Sequence, residues 1–145
     1  MKQRWFLVVS TFSLLLALAA CGTTTGNTPA GTPTTVQVTE TDFKIDASVT
    51  TFTPGTTYHF VVTNKGKTAH ELMIMPKSEG SMMGGMPMGD MDKMALASIE
   101  NLNPGETKTL DYTFPSSAAS SHPEFACYLP GHYEAGMKLG VSVSS

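Results

Sequence analysis

The 145-residue chain has 9 Lys and Arg residues against 12 Asp and Glu residues, and 41% of it is hydrophobic. This length and composition suit one domain with one core, and the slight negative charge does not favour a nucleic-acid-binding surface. Its 4 histidines, 10 methionines and 2 cysteines are the residues with the most distinctive chemistry.

The first predicted element is an export signal over residues 1–20. Lys2 and Arg4 precede an apolar run that is shorter than the ~20 residues of a membrane-spanning helix. The run ends in LAAC, which resembles the lipobox of bacterial lipoproteins, so we expect Cys21 to carry a lipid anchor. A plain secretion signal, with Cys21 there by chance, is the alternative. Removing the leader turns 9 basic residues into 7 against 12 acidic ones, a net charge of −5.

The second predicted element is a flexible tether over 21–35, rich in Gly, Thr and Pro, and the folded domain follows over 36–145. Short alternating segments with β-branched and aromatic residues, separated by Gly and Pro turns, make this domain all-β. The predicted strands are 36–46, 56–64, 69–75, 96–102, 107–114, 123–129 and 137–143. This pattern predicts an antiparallel two-sheet sandwich of about seven to eight strands.

A methionine-rich segment interrupts the strand pattern, and we expect an inserted loop over 76–95. Only residues 89–98 suggest a short helical turn. Its six methionines are Met82, Met83, Met86, Met88, Met91 and Met94. They can form an adaptable docking surface, or their thioethers can capture Cu(I) as a secondary site with Asp90 or Asp92 nearby.

The most specific pattern is CYLPGHYEAGM, in which Cys127, His132 and Met137 follow at steps of five. Chance gives both offsets from one cysteine a probability of roughly 0.002 at this composition. Pro130 fixes φ and Gly131 permits a positive φ, so the bend can direct His132 inward. These three side chains are therefore candidate ligands of one metal ion.

A fourth ligand must come from another part of the chain, and His70 is the best candidate because it opens a predicted strand after a turn. His59 lies on the strand face opposite Tyr58 and Phe60, so we expect it to face solvent. His122 lies in a polar loop. Neither His59 nor His122 is a predicted ligand.

The segment 127–137, together with the upstream AHE, resembles the cupredoxins, the type 1 or blue-copper domains. Its PGH is similar to the azurins, and the spacing from the histidine to the methionine is similar to rusticyanin-like members. The resemblance implies a Greek-key β-sandwich that binds one copper ion. The implied ligands are His70, Cys127 and His132 in the equatorial plane and Met137 on the axis. Glu71 stands where many members have Asn, a residue that fastens the two ligand loops together.

The donor types fit this copper chemistry. A thiolate suits Cu(I), imidazole suits both oxidation states, and a thioether donates weakly, so little geometry changes with oxidation state. We therefore expect an anchored, extracytoplasmic one-electron carrier rather than an enzyme, a monomer whose partners are redox proteins or copper-handling proteins. The alternative function is copper tolerance through the methionine-rich segment.

Three other kinds of site remain open at this point. Structural zinc could use Glu71 or Glu134 in place of a methionine. Cys127 could form a nucleophilic pair with a histidine, although that leaves the position of Met137 unexplained. A metal-free binding or adhesive sandwich would leave the whole pattern to coincidence.

Overall fold

The computed structural model describes residues 32–76 and 86–144, with the side chain of Met88 left out. All of these residues belong to one compact unit, which runs from Gly31 to Ser145. The predicted signal, Cys21, most of the tether, Met82 and Met83 lie outside the described residues. Within the described part of the chain, no helix has the length and apolarity needed to cross a membrane.

The described residues form ten strands and one short α-helix. The strands of the first half are β1 (Thr34–Thr41), β2 (Lys44–Ala47), β3 (Thr51–Phe52), β4 (Thr57–Asn64) and β5 (His70–Met75). The helix α1 (Met88–Met94) follows, and then β6 (Ala97–Leu102), β7 (Thr107–Thr113), β8 (Glu124–Ala126), β9 (Lys138–Gly140) and β10 (Ser142–Val143).

Two four-stranded sheets form the sandwich, with the orders β2-β1-β4-β7 and β6-β5-β8-β9, and β3 pairs with β10. The prediction of an all-β sandwich is confirmed. Most pairs are antiparallel as expected, but β1 pairs with β4 in parallel and β3 pairs with β10 in parallel. The chain passes through β3, outside the first sheet, before it returns as β4 beside β1.

Alternation along the strands fills the space between the sheets. Tyr58, Phe60 and Val62 of β4 are buried as predicted, on the face opposite His59. The ring of Phe52 in β3 lies 4.9 to 5.8 Å, between centroids, from the rings of Tyr58, Phe60, Phe114 and Phe125. Each such aromatic pair contributes about 0.5–1.5 kcal/mol beyond the burial of its area. This aromatic cluster makes β3 an essential part of the core.

Two predicted strands are each divided in the structure. The prediction of one strand over 36–46 is wrong, because Thr41 pairs with Lys44 across a two-residue turn that separates β1 from β2. The predicted strand 137–143 is likewise divided, since β9 pairs with β8 and β10 pairs with β3. At the start of the domain, β1 begins at Thr34, because Thr34 pairs with Tyr58 in the ladder with β4.

The methionine-rich segment is not a loop throughout, since α1 covers Met88–Met94. Met91 is 6% exposed and packs in a second apolar cluster with Met73 and Met75 of β5. Lys93 lies 2.7 Å from Asp90 on the exposed side of the same helix. The helix forms here because one face has apolar partners on the outer surface of β5.

Candidate metal centre

The start of β5, the end of β8 and the turn that follows β8 bring three of the predicted ligands together. His70 opens β5, and Cys127 directly follows β8. The amide of His132 donates to the carbonyl of Leu129 at 2.9 Å, and Gly131 has a φ of +83° within this turn. The bend therefore uses the positive φ that glycine permits at this position.

The ligand atoms of His70, Cys127 and His132 all lie within 4.8 Å of one another. Nδ1 of His70 is 3.3 Å from Nδ1 of His132, and the same nitrogen of His132 is 3.3 Å from Sγ of Cys127. His70 and Cys127 are fully buried, whereas His132 is partly exposed. Two imidazoles and a thiol thus direct their donor atoms toward a common point.

Met137 closes the segment that carries two of these residues. Its amide donates to the carbonyl of His132 at 3.0 Å, and its carbonyl accepts from the amide of Cys127 at 3.1 Å. Its side chain is fully buried, in the same apolar cluster as Cys127. These hydrogen bonds hold 127–137 as a closed loop with the thioether inside the protein.

Glu71 connects the two segments that carry the predicted ligands. The sequence left this connection open, because many cupredoxins have Asn at the position of Glu71. Its carboxylate accepts a hydrogen bond of 3.0 Å from the amide of Tyr128, the residue after Cys127. Glu71 is only 4% exposed, and this burial raises the pKa of its carboxyl above the ordinary value. The side chain therefore ties the start of β5 to the end of β8 at the base of the site.

The surroundings of Cys127 disfavour ionisation of its thiol. Burial raises the pKa of the Cys127 thiol to about 12, and the nearby Glu71 and Glu40 carboxyls act in the same direction. Amide groups of Leu129 and Glu71 donate toward the sulfur and oppose this effect. A cation at the site would replace the thiol proton, so metal binding is coupled to proton release.

The surroundings of His70 disfavour its protonated form. Burial, followed by the neighbouring His132, lowers the pKa of its imidazole. Its Nε2 atom lies 3.5 Å from Oδ1 of Asp42, on the side away from the three donor atoms. A neutral imidazole with Nδ1 free is the form that binds a metal ion.

The remaining histidines lie away from this cluster, as predicted. His59 pairs with Asp111 on the exposed face of the first sheet. His122 is exposed beside Pro123. Within the described residues, His70, Cys127 and His132 form the one group of three histidine, cysteine or acidic side chains whose ligand atoms converge in this way.

Sequence reasoning missed two residues of the site, Asp42 and Phe43, because they fell inside a predicted strand. Asp42 lies near His70, and the ring of Phe43 lies edge-on to His132 with 5.7 Å between centroids. Asp is a common turn residue, so Asp42 was a usable sign that the chain turns here. Phe43 gave none, because a phenylalanine with a φ of +68° is rare.

The donor set fits copper better than zinc. Zinc sites use cysteine, histidine or carboxylate ligands, whereas a buried thioether beside one thiolate and two imidazoles is the ligand set of a type 1 copper site. The sandwich and this arrangement together define the cupredoxin, or blue-copper, fold.

Comparisons with known proteins agree with this fold. The chain is 36% identical over 105 residues to the copper-resistant cuproprotein CopI of Vibrio cholerae, a match that covers 70% of this chain and 57% of that protein. The chain therefore spans a little over half the length of that relative. No family model matches the chain.

Two solved structures show the same architecture. Auracyanin from Roseiflexus castenholzii superposes with a TM-score of 0.59 at 21% identity, covering 79% of this chain and 100% of that one. An azurin from Methylomonas sp. strain J superposes with a TM-score of 0.55 at 20% identity, covering 77% and 98%. At these identities the likeness shows the fold alone.

Proposed function

We propose that this protein is a type 1 copper protein that carries one electron at a time. The observation that carries the proposal is the convergence of His70, Cys127 and His132, two of them fully buried, beside the buried Met137. When copper is bound, it supplies a one-electron couple. Four protein donors would fill its coordination sphere, which favours electron transfer over substrate binding.

The chain's own residues support this role by holding the donors in place. Hydrogen bonds within 127–137 and from Tyr128 to Glu71 fix the loop, so little structure has to move when the charge of the metal changes. Burial among apolar groups favours the reduced, less charged state. His132 is partly exposed, so its ring offers a route for an electron between the metal and a partner.

We extend the proposal to the location of the protein. The leader over 1–20 and the LAAC sequence support export and a lipid on Cys21, so that the domain works outside the cytoplasm on a membrane surface. Its partners would then be redox proteins in the same compartment.

Optical spectroscopy tests the copper site directly. Cu(II) added to the metal-free protein should produce an intense visible band, because the Cys127 thiolate donates charge to copper. Cys127→Ser should abolish the band, while His59→Ala and His122→Ala are matched controls that should keep it. A band that survives Cys127→Ser, or that either control removes, would show that the assigned ligands are wrong.

Copper tolerance is the second candidate, favoured by the similarity to CopI and by the methionine-rich segment. The methionines in and next to this segment whose side chains the structure describes differ in exposure. Met73, Met75 and Met91 are buried in an apolar cluster, so using them as ligands would disturb packing. Met94 is 37% exposed and can reach an external ion.

Cu(I) stoichiometry separates the two candidates. A tolerance protein that captures Cu(I) should bind more than one equivalent, because the four-donor site holds a single ion. The surplus should disappear when the six methionines Met82, Met83, Met86, Met88, Met91 and Met94 are all replaced by leucine, which keeps volume and apolar character. Met91→Leu alone is the packing control and should keep the surplus. A wild-type protein that binds one ion only would leave electron transfer as the function.

A further inference from the structure

We propose that the two-residue turn between β1 and β2, Asp42–Phe43, positions both histidine ligands of the metal centre. In this arrangement Asp42 orients His70, and Phe43 orients and covers His132. The inference rests on the proposed copper site and adds two positioning residues to it.

Asp42 is a fixed carboxylate. Its Oδ1 atom accepts hydrogen bonds from the amide of Lys67 at 2.9 Å and from the hydroxyl of Thr68 at 3.1 Å, and the amide of Thr68 lies 3.4 Å away. The same oxygen is 3.5 Å from Nε2 of His70, longer than a good hydrogen bond but close enough for the carboxylate to face the N–H of the ring. No other hydrogen-bond partner is found for this buried nitrogen among the described residues. The carboxylate therefore faces the one nitrogen of His70 that is not directed at the metal site.

Gly66 makes this approach possible. A Cβ atom at this position would lie 2.6 Å from Oδ1 of Asp42 and 2.7 Å from Nε2 of His70, closer than non-bonded atoms tolerate. The amide of Gly66 donates to the side chain of buried Asn64 at 2.7 Å, and that side chain in turn donates to the carbonyls of Thr68 and Leu102. The loop after β4 is thus built to leave room for the carboxylate beside the imidazole.

Phe43 has an unfavourable backbone conformation that places its ring against His132. Its φ of +68° is costly for a residue with a bulky side chain, and 50% of the residue is exposed, so burial of the ring gives little in return. The ring meets that of His132 edge-on, at an interplanar angle of 83°. His132 is the ligand that solvent can reach, and the phenyl group restricts both its rotation and the access of water.

Both contacts have consequences for a bound metal. A carboxylate near the outer nitrogen of a ligating histidine fixes its tautomer and raises its basicity, and loss of such a partner typically lowers metal affinity about 10–100-fold. Greater basicity stabilises Cu(II) relative to Cu(I), so Asp42 lowers the reduction potential. The ring of Phe43 keeps small external ligands from replacing His132.

The first experiment compares Asp42→Asn with Asp46→Asn, which removes the same charge from an exposed position on β2 paired with Lys44. Asp42→Asn should lower Zn(II) affinity about tenfold or more and raise the reduction potential of the copper-loaded protein. Asp46→Asn should change neither. Gly66→Ala keeps the carboxylate but separates it from His70, so it should change both quantities in the same direction as Asp42→Asn. Equal values for the two aspartate variants would overturn the role of Asp42.

The second experiment replaces Phe43 with asparagine, which tolerates a positive φ and removes the ring. Added imidazole should then change the visible spectrum of the copper-loaded variant but not that of the wild type. Leu96→Ala, which removes another exposed apolar side chain, is the control and should behave as wild type. A variant as resistant to imidazole as the wild type would overturn the role of Phe43.

Nitrogen NMR of the metal-free protein distinguishes failure of this inference from failure of the copper assignment. His70 should be the Nε2–H tautomer in the wild type and in Asp46→Asn, and Gly66→Ala should shift its ring resonances. If the wild type gives no visible band with copper but shows this pattern, the copper proposal fails and the positioning role of Asp42 stands. A wild-type His70 with its proton on Nδ1 would overturn that role whatever the spectrum shows.

Discussion

Glu40→Gln should make the metal-free protein markedly more stable at alkaline pH. Glu40 is fully buried, and neither of its carboxylate oxygens has a hydrogen-bond partner among the described residues. Burial, with a smaller effect of nearby Glu71, raises the pKa of Glu40 from 4.5 to about 8. At neutral pH the folded protein therefore holds a proton that the unfolded chain has released.

The sign of the pH dependence follows from this difference. Between pH 4.5 and 8 the folded state binds more protons at Glu40 than the unfolded state, so this residue makes stability fall as pH rises, with a slope of up to about 1.4 kcal/mol per pH unit. From pH 5 to pH 8 the loss is roughly 3–4 kcal/mol, a large part of the stability of an ordinary domain. Glutamine has nearly the same shape and no charge, so the variant should escape this loss.

Urea unfolding at pH 5, 6.5 and 8 measures the effect. The free energies of unfolding of the wild type and Glu40→Gln should be similar at pH 5 and differ by roughly 3–4 kcal/mol at pH 8. Glu106→Gln is the control, because hydrogen bonding from the amide of Asn103 lowers the pKa of Glu106 and leaves it ionised throughout this range. If the free energies of unfolding of Glu40→Gln and the wild type change with pH by the same amount, the carboxyl of Glu40 is not held neutral and the reasoning is refuted.

Four further predictions concern the metal centre, the second apolar cluster and the lipid anchor. Because the pKa of Cys127 is raised to about 12, Zn(II) affinity should fall about tenfold for each pH unit between pH 8 and pH 6.5 as the thiol keeps its proton, and a flat titration would contradict this. Met137→Leu should retain copper and raise its reduction potential, measured by voltammetry; loss of the metal would argue against an axial ligand. Met91→Ala should cost about 2–5 kcal/mol in urea unfolding, and a cost near zero would show that α1 does not pack on β5. Cys21→Ser should move the protein from the membrane fraction to the soluble fraction, and unchanged fractionation would rule out the anchor.

The sequence predicted the parts of the molecule in which periodicity and burial coincide. The alternation of Tyr58, Phe60 and Val62 identified β4 and its core face, because one side of that strand meets the core and the other meets solvent. The segment 127–137 identified its own turn, because Pro130 fixes φ and Gly131 permits the positive φ that the turn uses. These are short-range effects that a single sequence contains.

The missed features depend on residues that are distant in the sequence. The turn at Asp42–Phe43 has a φ that phenylalanine rarely adopts, so nothing local distinguished it from a continuous strand. β3 has only two residues and exists because Phe52 packs against rings from β4 and β8. Helix formation at Met88–Met94 likewise depends on partners in β5. In each case tertiary contacts outweighed local preference.

Strand β5 belongs to two apolar clusters at once, and this has a consequence for how the domain tolerates change. Leu72 and Ile74 face the main core, while Met73 and Met75 face the cluster that contains Met91. Insertions between strands can usually be shortened freely, because they cover nothing. Here, trimming the segment back to the strand ends would uncover a row of apolar side chains on a strand that starts with His70. The shortened protein would expose an apolar surface on the strand that carries His70, so α1 is needed to cover this face of β5.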